Sequence, residues 1–153
     1  MQITRAGEYG VLGLLNLARK APEELVMIDD VSREESIPKS FLAKIFQSLV
    51  KSGIVKSTRG SGGGFALAKA PNKISVLEVI EAIEGKIDFQ RCQQEAPDCE
   101  HVGGCALCGL LGEAQESLKE VFSKTTLADL LKPKTAPGIN HRRGNLQKVA
   151  ETN

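Results

Sequence analysis

The 153-residue chain contains no tryptophan, and only 4% of its residues are aromatic. Its core must therefore be built mainly from aliphatic side chains. The composition, 41% hydrophobic and 25% charged, is typical of a globular domain. A chain of this length suits one domain, or one small domain with an appendage.

Long hydrophobic runs are missing as well. No segment approaches the roughly 18 apolar residues of a membrane span. Residues 9–18, YGVLGLLNLA, resemble the hydrophobic core of a signal peptide, but no small-residue cleavage pattern follows them. We therefore interpret this segment as a buried helix and expect a cytoplasmic protein.

The chain has little net charge, only +1, but its charges are unevenly distributed. Residues 22–36 contain six acids and one base, whereas residues 38–59 contain five bases and no acid. A basic stripe on a neutral protein is typical of a polyanion-binding site, although a solvated lysine face has the same pattern.

Hydrophobic periodicity predicts a mostly α fold with one small β-hairpin. Helices are predicted at 3–20, 27–37, 38–53, 74–85, from 105 onward and at 126–131, and strands at 54–58 and 65–69. The second predicted helix is led by Asp29 or Asp30. Gly7, Gly10 and Gly13 recur every third residue of the first helix and mark a close backbone approach.

The predicted helix at 38–53 is amphipathic. Its buried face is predicted to consist of Phe41, Leu42, Ile45, Phe46, Leu49 and Val50. The opposite face is polar, small and free of acids, and it consists of Ser40, Ala43, Lys44, Gln47 and Lys51. The residues expected to meet DNA, which we call the groove face, are Lys39, Ser40, Ala43 and Lys44. The hairpin that follows has the glycine-rich tip RGSGGG, beginning with Arg59.

This order of elements is that of a winged helix-turn-helix, in which the second helix of the pair enters the DNA major groove. The groove face would meet base edges and phosphates, and Arg59 on the wing would reach a phosphate or the minor groove. A winged helix that binds protein remains an alternative. A phosphate-cradling loop is disfavoured, because the glycines lead into a strand and lack the G-K-[ST] ending.

Cysteine is absent outside residues 92–108, a Pro/Gly-containing segment that we call the cysteine loop. In a reducing compartment, clustered cysteines are more often metal ligands or redox groups than disulfides. Cys92, Cys99, Cys105 and Cys108 can surround one centre, and their spacing leaves an iron–sulfur cluster and a zinc site both open. A thiol redox switch without metal is a further alternative.

The sequence as a whole resembles a known family. The run IPKSFLAKIFQSLVKSGIVKSTRGSGGGFALAK (37–69), the opening MQITRAGEYGVLGLLNLA, the helix SVLEVIEAIEG and the cysteines are similar, in the same order, to the bacterial winged-helix regulators typified by the iron–sulfur cluster regulator and the nitrite-sensitive repressor. The resemblance covers roughly residues 1–131. It implies a homodimeric transcription regulator that binds an imperfect palindrome in double-stranded DNA and carries one iron–sulfur cluster, [2Fe–2S] or [4Fe–4S], per subunit.

The resemblance also implies ligands. Cys92, Cys99 and Cys105 match the three ligand cysteines of the family, although the first gap is one residue longer here. Cys108 stands where the cluster regulator has a histidine, and we rank it first as fourth ligand. Glu8 of the partner subunit ranks second, since some members use a carboxylate there, and His101 ranks third.

The resemblance further implies that the helix after the cysteine loop is the dimerisation helix. Its apolar residues are spaced 4, 3, 4, 3, as in a packed helical seam: Leu107, Leu111, Ala114, Leu118 and Val121. Packing within its own domain would give the same spacing. The expected organisation is therefore a winged-helix domain at 1–84, the cysteine loop with the dimerisation helix at 85–131, and a disordered tail at 132–153.

Overall fold

A computed structural model describes residues 3–90, 93–94, 99–101 and 104–132. Six α-helices and a two-stranded hairpin lie within these ranges. In chain order they are α1 (Arg5–Ala18), α2 (Ile28–Glu35), α3 (Lys39–Lys51), β1 (Val55–Thr58), β2 (Gly64–Leu67), α4 (Val76–Glu84), α5 (Ala106–Lys124) and α6 (Leu127–Leu131), with a 3₁₀ turn at Pro71–Lys73 before α4. The predicted mostly α architecture with a hairpin is confirmed. In the part of the chain that is described, no helix is both long and apolar enough to cross a membrane.

The core is aliphatic, as the lack of tryptophan predicts, with Phe46 at its centre. Its largest fully buried side chains come from five helices and the segments between them: Leu14, Val31, Ile37, Leu42, Phe46, Leu49, Ile74, Val79, Ile80 and Leu127. The close approaches predicted at the glycines of α1 are confirmed. A Cβ on Gly13 would lie 2.9 Å from the Phe46 ring, and one on Gly10 would collide with Ile83.

Helices α2 and α3 form the helix-turn-helix pair. Ser36, in the left-handed conformation, ends α2, and Pro38 stands at the N-cap of α3. Gly53 follows α3 with a φ of +75°, the conformation that a glycine favours after a helix. The turn between the helices is thus set by local backbone preferences.

The hairpin pairs β1 and β2 antiparallel, with Val55 opposite Leu67 and Thr58 opposite Gly64. A further bridge joins Val26, in the α1–α2 connection, to Phe65. Gly64 is required there, because a Cβ on it would lie 2.8 Å from the carbonyl oxygen of Val26. The hairpin is therefore anchored to the α1–α2 connection close to its tip.

The C-terminal helix α6 returns to the winged-helix core. A bridge pairs Ser75 with Thr126, and Leu127 is fully buried in the core that contains Leu14 and Phe46. Capping boxes begin both neighbouring helices, one at Ser75 for α4 and one at Thr126 for α6. The proposed division at residue 84 stays a prediction, and nearly all of the tail at 132–153 lies outside the described residues.

Two local predictions were wrong. Phe41 is 53% exposed, because it lies about 90° around α3 from the middle of the buried face, where its ring meets Tyr9 edge-on. Helix α2 begins at Ile28 with Met27 as its N-cap, so Asp29 and Asp30 lie inside its first turn. They still favour the helix there through the dipole.

Candidate nucleic-acid interface and cysteine loop

The groove face points away from the core. Lys39, Ser40 and Lys44 are exposed and Ala43 is half-buried, because the buried positions of α3 all lie on the opposite side. Gln47 and Lys51 are exposed on the same side. A glutamine amide can bond to adenine and a lysine to guanine or phosphate, so this surface has donors for both base and backbone contacts.

The two lysines of the groove face differ in their surroundings. The Nζ of Lys39 lies 2.6 Å from Oδ1 of Asp29 on α2. Lys44 has no ion pair with any residue that the structure describes. The sequence suggested a face free of acids, and this remains correct for α3 itself, but the turn brings a carboxylate of the preceding helix to its edge.

The wing carries its predicted base at the tip of the hairpin. Arg59 is exposed and has no ion pair within the described ranges of the chain. Lys56 on β1 lies 2.8 Å from Glu23, and this pairing lowers the pKa of the Glu23 carboxyl. The strands of the wing are thus held against the α1–α2 connection, while the Arg59 cation has no ion pair among the described residues.

A buried amide joins the helix-turn-helix to α1. Asn16 is almost fully buried, and its Nδ2 donates to Glu34 at 2.8 Å and to Glu35 at 2.9 Å at the end of α2. The bond from Asn16, followed by that from Lys20, holds the pKa of Glu34 below its usual value. The cations of Arg19 and Lys20 compensate the two acids, so α2 is fixed on α1.

Three of the four cysteines lie within the described residues, and all three are free thiols. Cys105 is exposed at the N-cap of α5, where its side chain makes no capping bond, and Cys108 is half-buried in the first turn. Cys99 is half-buried in the loop, and Cys92 lies outside the described residues. No three potential metal ligands lie together in the part of the chain that the structure describes.

The other two candidate ligands, His101 and Glu8, lie in different parts of the chain. His101 is exposed and lines an open depression with Glu100, Gly104 and Cys105. Glu8 is exposed in the first turn of α1. The N-terminus of α1 is fixed by Glu84 at the end of α4, whose Oε1 accepts from the backbone N–H of Thr4 at 2.9 Å.

Sequence reasoning missed two glutamines that join α5 to the cysteine loop and to the segment before it. Nε2 of Gln93 donates to the carbonyl oxygen of Cys108 at 3.2 Å, and Oε1 of the nearly buried Gln115 accepts from the N–H of Phe89 at 2.8 Å. The Gln93 amide lies against Gly112, where a Cβ would be 3.5 Å from Nε2, an ordinary contact distance. The only signal in the sequence is the position of Gln93 directly after Cys92.

Helix α5 packs on α4 with one side and exposes apolar residues on another. Leu107, Leu110 and Val121 are 54%, 61% and 61% exposed, and Gln115 is the only buried residue of the 19 in the helix. Of the predicted seam, Ala114 is also exposed, whereas Leu111 and Leu118 are half-buried. The predicted seam therefore lies along the border between the side of α5 that packs on α4 and the side that is exposed.

Comparison with known proteins gives one consistent family. Residues 3–133 match the Rrf2 family, described as iron-dependent transcriptional regulators. The chain is 31% identical over 145 residues to the HTH-type transcriptional regulator IscR of Cronobacter sakazakii, covering 95% of this chain and 89% of that one. It is 34% identical over 131 residues to IscR of Klebsiella pneumoniae, covering 86% and 80%.

Solved structures agree with the fold. CymR, the global cysteine regulator of B. subtilis, matches with a TM-score of 0.70 and 28% identity over 85% of this chain and 95% of its own. T. potens IscR matches with a TM-score of 0.68 and 28% identity over 86% of each. These relatives are transcription regulators and not enzymes, and the chain described here belongs to the Rrf2 family of winged-helix, DNA-binding transcriptional regulators.

Proposed function

We propose that the protein acts in the cytoplasm as a homodimer that binds an imperfect palindrome in double-stranded DNA under the control of one iron–sulfur cluster per subunit. The observation that carries this proposal is the position of the free thiols. Cys105 and Cys108 lie at the start of α5, which packs on α4 of the winged helix and has apolar residues exposed on its other side. One helix thus connects the candidate ligands, the DNA-binding unit and the candidate dimer surface.

On the DNA side, α3 enters the major groove with the groove face toward the bases. Ser40 and Ala43 permit close approach, Lys44 donates to guanine or phosphate, and Lys39 lies at the edge near the backbone. Arg59 anchors the wing beside the groove. A two-fold dimer presents two such units, which requires two half-sites about 34–36 Å, or a multiple of this, apart.

The dimer forms through α5. A helix that leaves Leu107, Leu110 and Val121 more than half exposed presents a contiguous apolar surface, and such surfaces mark interaction sites. A second copy of α5 is the occupant that matches, because the 4, 3, 4, 3 spacing is that of helices packed along their length.

The donor set of the cysteine loop fits an iron–sulfur cluster. The described thiols are free, and thiolates are the ligands that hold such clusters. Cys105 lies exposed at the N-cap of α5, where its side chain makes no capping bond. We assign Cys92, Cys99, Cys105 and Cys108 as ligands, with Glu8 of the partner subunit second and His101 third for the last position.

When bound, the cluster would supply a redox- and iron-sensitive set of bonds to the loop. Residues of the chain would transmit a change at the cluster to the DNA-binding unit. Gln93 and Gln115 hold the loop and the segment before it against α5, and α5 packs on α4, whose Glu84 fixes the start of α1. A change in the constraint on loop 92–108 therefore shifts α5, and with it the spacing of two DNA-binding units, provided that the two states bind DNA differently.

The test is an absorbance spectrum of protein purified without oxygen, with iron, sulfide and zinc measured on the same sample. We expect a brown protein with near-equal iron and sulfide, and a Cys92→Ala variant that loses the colour but keeps the winged helix by circular dichroism. Cys108→Ala should lose colour, whereas His101→Ala should keep it. A colourless protein with one tightly held zinc per chain would show that the cysteine loop is a structural zinc site and not a sensor. A metal-free protein would favour a thiol redox switch.

A further inference from the structure

The ion pair between Asp29 and Lys39 joins an acid of α2 to the edge of the groove face. The carboxylate and the ammonium lie 2.6 Å apart, and their side chains are 52% and 58% exposed. We propose that Asp29 is a specificity-determining residue, which neutralises Lys39 and thereby restrains sequence-independent binding to DNA. The inference rests on the proposed placement of α3 in the major groove.

A purely structural role does not account for this pair. Exposed ion pairs contribute little to folding stability. Helix α2 also has a second acid in its first turn, Asp30, which pairs with Arg33 within the same helix. Helix α2 is held on the rest of the protein by its buried Val31 and, at its other end, by the bonds from Asn16 and Arg19.

The effect of Asp29 on binding to non-operator DNA follows from counterion release. Each cation that meets a phosphate releases bound salt ions and contributes a slope of about −0.9 to the dependence of log affinity on log salt concentration. This term makes up nearly all of the binding to non-operator DNA. A lysine already paired with a carboxylate contributes less, and the carboxylate itself repels phosphates in any shifted register.

Removal of the Asp29 charge affects binding to the operator less. Contacts from the groove face to base edges fix the register on the operator, so a freed Lys39 gains only where a phosphate lies within reach. On other DNA the protein binds in any register, so a freed Lys39 contributes a full phosphate contact. Removing the Asp29 charge is therefore expected to raise affinity for non-operator DNA more than for the operator, and an equal gain on both would contradict a role in specificity.

The matched pair of variants is Asp29→Asn and Asp30→Asn. Both remove one negative charge from the same helical turn, but only the first frees a lysine of α3. Binding would be measured by fluorescence anisotropy between 50 and 200 mM salt, on a duplex selected from a random pool and on a scrambled duplex of equal length. For Asp29→Asn we expect a slope steeper by about 0.9 per subunit on the scrambled duplex and a gain of roughly fivefold per subunit at 0.15 M salt.

A second comparison does not depend on the Asp29 variant. Lys39→Met leaves the Asp29 carboxylate unpaired beside the phosphates, so it should lower affinity for the scrambled duplex, as Lys44→Met should. The double variant Asp29→Asn with Lys39→Met should lose the gain of Asp29→Asn. Equal behaviour of Asp29→Asn and Asp30→Asn, or a gain that persists without Lys39, would overturn the inference. The proposed function fails separately, if Lys44→Glu binds the selected duplex as tightly as the wild type.

Discussion

The side-chain amide of Gln93 donates to the backbone carbonyl of Cys108, with 3.2 Å between Nε2 and the oxygen. The other atom of the same amide, Oε1, is buried without a partner among the described residues. A buried acceptor left unpaired is unfavourable, so this amide is held in place for the bond that it does make. The contact fixes one arm of the cysteine loop to the first turn of α5.

We predict that Gln93→Ala exposes the Cys108 thiol in the metal-free protein. A hydrogen bond of this kind contributes about 0.5–1.5 kcal/mol, so alkylation of Cys108 by iodoacetamide should accelerate about 2–10-fold. Mass spectrometry after timed quenching measures this rate. Gln94→Ala is the matched control, because Gln94 is exposed and its side chain has no hydrogen bond to a described residue. Equal rates in both variants would deny the Gln93 contact a role in holding the loop.

Lys44→Glu should abolish tight DNA binding. The substitution replaces an unpaired cation on α3 by an anion facing phosphates, so affinity should fall at least about tenfold and the salt slope should decrease by about one unit per subunit. A mobility-shift titration measures both. Lys73→Glu makes the same charge reversal on an exposed residue outside α3 and the wing, and it should bind nearly as the wild type does. Wild-type affinity in Lys44→Glu would remove α3 from the groove.

Val121→Glu should dissociate the dimer. Val121 is 61% exposed at the end of α5 far from the cysteines, so burial of a carboxylate at a dimer seam should raise the dissociation constant at least about tenfold. Light scattering across a concentration series gives the subunit mass. Ser123→Glu adds the same charge on the other side of the helix and should leave the dimer intact. A Val121→Glu protein that stays dimeric would place the interface elsewhere.

Gly13→Ala should destabilise the fold, although alanine favours helices. The added methyl would lie 2.9 Å from the buried Phe46 ring, and overpacking of this kind costs about 1–3 kcal/mol against a propensity gain of about 1 kcal/mol. Gly109→Ala is the control in α5, where a Cβ meets nothing within 4 Å, and it should be neutral or stabilising. Urea unfolding compares the two free energies. A stabilised Gly13→Ala protein would mean that α1 and α3 separate at low cost.

Acid should weaken the attachment of α6 through Asp129. The hydrogen bond from the Thr126 hydroxyl, followed by that from Lys132, holds the pKa of the Asp129 carboxyl well below its usual value. Because the unfolded chain then binds the proton more readily, the contribution of Asp129 is complete above about pH 4 and is lost as the pH falls below it. Urea midpoints between pH 6 and 3 should therefore drop more in the wild type than in Asp129→Asn. Parallel curves would contradict this assignment.

Local patterns were enough to predict the elements and their order. Apolar spacing placed α3 between Pro38 and Gly53, and the glycine-rich turn placed the hairpin, because caps and turns depend on neighbours in the chain. Phe41 shows the limit of this reasoning. It belongs to the apolar stripe by spacing, yet it lies at the margin of the stripe, and only the extent of the α1 contact decides that half of it stays exposed.

The sequence by itself determined the basic face of α3, the confinement of all thiols to residues 92–108 and the apolar spacing of α5, since each is a property of residue type and position. Tertiary structure alone decided that Asp29 meets Lys39, that Gln93 meets Cys108 and that Leu127 returns to the core of the winged helix. Contacts of this second kind join residues from different elements. Their geometry depends on the packing of the whole chain, because no local periodicity records which remote side chain will come within bonding distance.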